Sequence, residues 1–149
     1  MAKQQGRLLL IKIGDGVEGT EAFTTLCGLQ SKTMTVNNNN FDVTTADCTA
    51  PGGQLWQEVM TGMRSIEVSG NGLFEGGTSL DRFKAIAFGA NEADTAGAIG
   101  NFQVIVPEFG TFEGAFHVNS VEFGGEQEGA VTYSLTLASS GYIGFTAAV

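Results

Sequence analysis

Few residues in this 149-residue chain could carry chemistry. His117 is its single histidine, and Cys27 and Cys48 are its two cysteines. A zinc site needs four protein ligands, or three and a water, and one His with two separated Cys does not assemble the usual sets. His117 lies between Phe116 and Val118 in an alternating stretch, the position of a strand residue rather than a base or ligand. Gly14-Asp15-Gly16-Val17-Glu18-Gly19 fits G-x-G-x-x-G after an apolar run. A dinucleotide site requires that loop to feed a helix whose N-terminus holds pyrophosphate. Here Thr20–Leu26 is short and rich in threonine, and Asp15 and Glu18 would face the phosphates, so the motif reads as a glycine-rich hairpin turn. Asp42 and Asp47 lack the spacing of an EF-hand, and no spacing selects a carboxylate pair for glycoside hydrolysis. Neither a nucleophile elbow nor a Walker A loop occurs. The chain reads as non-enzymatic, with no cofactor and no metal.

The elements that would position these residues are mostly strands. Arg7–Ile13 reads as a first strand closed by Gly14-Asp15-Gly16, with return strands over Phe23–Leu29 and Lys32–Val36. Asn37-Asn38-Asn39-Asn40 favours a turn. The segment 35–53 then reads as a long extended loop without a partner strand, and loops of that length inside compact domains are often functional. Arg64–Gly70 alternates, with Ile66 and Val68 facing a core and Ser65, Glu67 and Ser69 facing outward. Asn71-Gly72 and Gly76-Gly77 then interrupt the strand pattern. Thr78 or Ser79 caps one helix, Leu80–Phe88, whose Leu80, Phe83 and Ala87 share a face and which Gly89 ends. A small-residue stretch leads to strands over Asn101–Val106, Thr111–Phe123 and Val131–Leu137, and a small-residue tail starts at Ala138. The expected fold is a mainly β, antiparallel sandwich or barrel with one short flanking helix, in one domain over residues 1–149.

Composition narrows the partners. The 22 glycines suit a turn-rich, helix-poor chain. Seven Lys+Arg stand against 16 Asp+Glu, for a net charge of −9, and no basic residue follows Lys84. Tight nucleic-acid binding needs cations that displace condensed counterions, and no basic stripe exists. No apolar run approaches the ~18 residues of a membrane span, and no export signal precedes the two cysteines, which read as reduced thiols.

Phe41-Asp42-Val43-Thr44-Thr45-Ala46-Asp47 is followed in order by Trp56-Gln57-Glu58, Gly62-Met63-Arg64-Ser65 and Val68-Ser69-Gly70-Asn71-Gly72. That collinear order resembles the major tail protein family of long-tailed phages, in which a D-V-T-T-x-D stretch and a W-x-E…G segment precede an S-x-S-G-x-G strand end. The Leu8–Gly16 hairpin and the strand ending in Ser139-Ser140-Gly141 are similar to that family too. Chains of this kind also occur in phage-like gene transfer agents.

The resemblance implies a tail tube subunit assembled in the bacterial cytoplasm into the tail of a phage or phage-like particle. Homo-hexameric rings would stack into a tube, with strands of six subunits joined around a channel. A tape measure protein would fill the channel before DNA passes without specific binding, and tail terminator and distal tail proteins would meet the tube's ends. An acidic wall suits DNA passage, because phosphate is repelled rather than held. On this reading Ser65, Glu67 and Ser69 border the lumen or a subunit contact, and Asp42, Thr44, Thr45 and Asp47 belong to an inter-ring loop. Two other readings remain. One is a secretion-system tube protein of related fold. The other is a carbohydrate-binding β-sandwich module with Trp56, Tyr133 and Tyr142 as stacking platforms.

Overall fold

A computed structural model describes residues 3–14, 22–76, 78–89 and 97–148. The side chains of residues 78–80 are outside that description, as is the expected Gly14–Gly19 turn beyond Gly14. A single 3-10 turn, Gly6–Leu8, precedes β1 (Leu10–Gly14), β2 (Phe23–Thr25), β3 (Leu29–Asp42) and β4 (Val59–Leu73). Helix α1 (Thr78–Phe88) leads to β5 (Ile99–Val106), β6 (Gly110–Gly124) and β7 (Thr132–Ala147). All seven strands form one antiparallel sheet in the order β2-β1-β5-β6-β7-β4-β3.

Alternation builds the core. Ile66 and Val68 on β4, Tyr133, Leu135 and Leu137 on β7, Phe116 and Val118 on β6, Phe102 and Val104 on β5, and Ile11 and Ile13 on β1 are all buried. These period-two faces meet because the sheet curls, with register shifts in β6 between Gly114 and Phe116 and between Val118 and Ser120. Helix α1 closes the open side with Phe83 and Ile86, and Phe83 meets Phe102 edge-on at 6.4 Å. The helix stops where expected. Gly89 takes φ +78° and its N–H donates to the Ala85 carbonyl at 3.0 Å, closing the last turn.

Several sequence expectations are corrected. The first strand begins at Leu10 rather than Arg7, because Gly6–Leu8 form the 3-10 turn. The four asparagines are strand, not turn: Asn37 pairs with Ser65 and Asn38 with Arg64. The expected partnerless loop at 35–53 is therefore half strand, and the true loop joins β3 to β4 between Asp42 and Val59. A long ladder with β4 outweighs the turn preference of single asparagines. Asn71-Gly72 likewise lies inside β4. The expected tail from Ala138 is the second half of β7, in which Phe145 pairs with Phe112 and Ala147 with Gly110.

Candidate functional site: a polar sheet face and a projecting arm

The face of the sheet opposite the core is polar across four strands. Cross-strand register aligns Ser31 with Asn71, Ser134 and Glu122, then Thr33 with Ser69, Thr136 and Ser120, then Thr35 with Glu67, Ala138 and His117. Ser69 and Glu67 thus sit in adjacent rows, and Ser65 lies beyond them opposite Asn37. The sequence placed these three residues on one outward face, and the structure does so too, with Glu67 and Ser69 exposed and Ser65 half-buried. The rows hold seven hydroxyls, one amide, two carboxylates, one alanine and one imidazole, whose Nδ1 lies 2.8 Å from Asn119 Oδ1. No lysine or arginine stands in them.

Both lateral borders of this four-stranded layer are open among the described residues. The outer edge of β3 pairs with no strand along its 14 residues. On the other side β5 leaves β6 after His117, apart from a Val118 N–H bond to the Ala98 carbonyl, so Asn119–Gly124 has a free edge. Unpaired edges of this length template further strands.

The second feature is an arm. Strand β4 pairs with β7 only from Glu67 to Leu73, so its first half is held by β3 alone. The two-stranded arm ends in the loop after Asp42, and every residue from 45 to 64 is exposed. Asp42 and Thr44 close the loop's neck. The Thr44 N–H donates to Asp42 Oδ1 at 2.8 Å, the Glu58 N–H donates to Thr44 Oγ1 at 2.8 Å, and the Val43 N–H donates to the Glu58 carbonyl at 2.9 Å. The same Asp-x-Thr turn recurs at Asp47, which accepts the Thr49 N–H at 2.9 Å and the Thr49 hydroxyl at 3.0 Å. Hydrogen bonds from Thr44 and Thr49 hold both carboxyls below the usual aspartate range, the Thr44 hydroxyl leading for Asp42 and the Thr49 N–H for Asp47. Thr45 stands exposed just inside the neck. The carboxylates expected in the loop therefore shape it locally.

The sequence reading missed the arm's apolar character. Phe41, Leu55, Trp56, Val59, Met60 and Met63 are all exposed, Trp56 at 77%. Their signal was legible: the chain's single tryptophan lies in a segment with no core partner. At the opposite end of β4, Phe74, Phe123, Val131 and Tyr133 line an apolar groove of about 390 Å³ against Phe83 and Phe88 of α1. Phe74 packs edge-on against Phe123 at 5.7 Å and Tyr133 at 6.2 Å. Tyr133 itself is buried, with its hydroxyl donating to the Cys27 carbonyl at 2.7 Å, so it offers no stacking platform for a sugar. Both cysteines are free and exposed.

These features can be set beside known proteins. A model of the phage tail tube protein family matches residues 3–145. A chain in the virion of a native gene transfer agent particle is 31% identical over 97% of this chain and 100% of its own, with a TM-score of 0.78. A chain in the tail of an empty gene transfer agent particle, determined by helical refinement with C6 symmetry, is 32% identical over the same shares, with a TM-score of 0.80. The SPP1 tail tube shares the fold at a TM-score of 0.63 and 12% identity, over 97% of this chain and 80% of its own. No curated protein sequence matches the chain significantly.

Proposed function

We propose, from the premise that the chain belongs to the phage tail tube protein family, that it forms six-membered rings that stack into the tail tube of a gene transfer agent-like particle. The observation that carries this reading is the combination of a cation-free polar sheet face with free strand edges on both sides. Six copies joined edge to edge, β3 of one against the Asn119–Gly124 edge of the next, would close the four-stranded layers into one barrel and pair both of their lateral borders. The C6 symmetry of the similar tail supports six as the number.

In that ring Ser65, Glu67 and Ser69 line the channel. A wall of hydroxyls, amides and carboxylates offers DNA no ion pair to break as it moves, whereas each phosphate contact with a lysine or arginine would add a salt-dependent hold. The arm, with Asp42, Thr44, Thr45 and Asp47 shaping its loop, makes the contact between rings. An isolated two-stranded hairpin is at best marginally stable in water, and one with exposed apolar residues gains from a surface to lie on. A tape measure protein within the channel, with terminator and distal tail proteins at the tube's ends, completes the set of partners, and assembly takes place in the bacterial cytoplasm.

Electron microscopy of the purified protein tests the reading. Rings of six around an open channel, alone or stacked, are expected. A dispersed monomer at all concentrations would overturn it.

A further inference from the structure

The apolar groove and the apolar arm lie at opposite ends of one strand. Strand β4 runs from Val59, beside the arm's loop, to Leu73, beside Phe74 at the groove. Its 15 residues span roughly 50 Å at ~3.4 Å per residue. The loop therefore cannot fold back into the groove of its own chain. A knob at one end and a hole at the other is the arrangement of a heterologous contact, which repeats head to tail and, unless it closes, runs on without limit.

We propose that Leu55 and Trp56 of each subunit seat in the groove of a second copy of this chain, the one in the adjacent ring. The inference rests on the tube reading and names the surface that receives the arm. Three observations support it. Leu55 is 67% exposed and Trp56 77%, so neither serves its own core. The groove is open because α1, which packs on β1, β5 and β6, leaves Phe123 and Val131 at the β6–β7 hairpin exposed among the described residues. Its lining is almost wholly side-chain carbon, with Asp81 and Lys84 giving the rim one charge of each sign. The two surfaces also match in chemistry and scale. A cleft of 390 Å³ is in the range that takes a large apolar group. An indole exposed to this extent offers on the order of 150 Å² for burial, a substantial part of the ~800 Å² per partner of a stable interface. Tryptophan is also among the residue types most enriched where interface energetics are dominated by a few side chains.

Disulfide trapping tests this in assembled tubes. The background is Cys27→Ser/Cys48→Ser, and the pair is Gln57→Cys with Lys84→Cys, exposed positions beside the knob and on the groove's rim that leave Leu55, Trp56 and the apolar lining intact. Oxidation should give a ladder of covalent oligomers that continues past six, because each bond joins one ring to the next, while either single substitution gives none. Tubes that oxidise without forming the ladder would overturn the proposal and leave the tube reading standing. Covalent species that stop at six would mark a contact within the ring and overturn it equally. Rings and tubes absent from the unsubstituted protein would remove both. The unsubstituted chain gives a second readout, since Trp56 is its only tryptophan. Its emission should shift to shorter wavelength when rings stack, and an unshifted emission in assembled tubes would overturn the proposal.

Discussion

The Ile66 N–H donates to the Ser139 side-chain oxygen at 2.9 Å, and the sheet divides at that bond. On one side β4 and β7 are paired from Glu67 and Ala138 onward. On the other, β4 leaves with β3 as the arm while β7 stays with β6, and a cleft of about 630 Å³ opens between them, lined by Arg64, Phe112, Tyr142 and Phe145. A backbone group that loses its ladder partner at a fork needs another acceptor, and the Ser139 hydroxyl supplies it.

Ser139→Ala removes that acceptor and leaves the partly buried Ile66 N–H unpaired. The expected cost is about 1–3 kcal/mol of subunit stability, read as a lower urea midpoint with an unchanged slope. An unchanged midpoint would show that water replaces the hydroxyl at the fork.

Gly72→Ala should cost more. A Cβ at Gly72 would lie inside the contact distance of the Gly28 carbonyl oxygen and 2.7 Å from the Gln30 nitrogen, where β3 bulges between Leu29 and Ser31. Neither neighbour is a flexible side chain, so the backbone must move, at a cost of roughly 2 kcal/mol or more. Thermal unfolding measures it, and a variant as stable as the parent would mean that the bulge relaxes freely.

These two sites show where the sequence was readable and where it was not. The alternation of Ile66 with Val68, and of Tyr133 with Leu135 and Leu137, marked the core faces because burial follows the strand period. The end of helix α1 at Gly89 was legible for the same kind of local reason. The Asn37–Asn40 strand and the second half of β7 were not. Both owe their conformation to a distant partner, Ser65 and Arg64 in one case and Gly110–Gly114 in the other. Local residue preferences carry no record of such pairing. That Ser65, Glu67 and Ser69 share an outward face could be read from spacing, whereas the Phe74–Phe123–Val131 groove joins residues far apart in the chain.

Alkaline pH should reveal Tyr133. Burial, with smaller contributions from Cys27 and Glu75, pushes its hydroxyl up to about 12. A phenol that keeps its proton longer when folded contributes stability fully present below the unfolded value of ~10, and lost as pH rises toward 12. Absorbance titration should show one tyrosine ionising near pH 12 in the folded chain, and Tyr133→Phe should abolish that step. Ionisation of Tyr133 near the ordinary value of ~10 would contradict it.

Acid acts on the arm with the opposite sign. The carboxyls of Asp42 and Asp47 are lowered by their threonine hydrogen bonds, so the turns they close are fully supported above the ordinary aspartate value of ~3.9. That support is lost as pH falls through the lowered values. In a carbon-detected NMR titration, Thr44→Val should raise the Asp42 midpoint toward the ordinary ~3.9 and leave Asp47 where it is. Equal movement of both would mean that the two turns act as one unit.

Replacing residues 44–57 by Asn-Gly separates folding from stacking. The loop contributes nothing to the buried core, and Asp42 and Val59 are already paired at its base. Asn-Gly favours the tight hairpin turn needed to join strands held in that register. The shortened subunit should keep its thermal midpoint to within a few degrees and still form rings, because neither the β3 edge nor Asn119–Gly124 has changed. It should form no tubes. Glu67→Lys should do the reverse, assembling normally but slowing DNA transfer in a salt-dependent way, since on the proposed channel wall one new cation per subunit makes a ring of lysines. Tubes of normal length from the shortened chain would take the ring-to-ring contact away from the arm. Unchanged transfer by the lysine variant would move Glu67 off the channel wall.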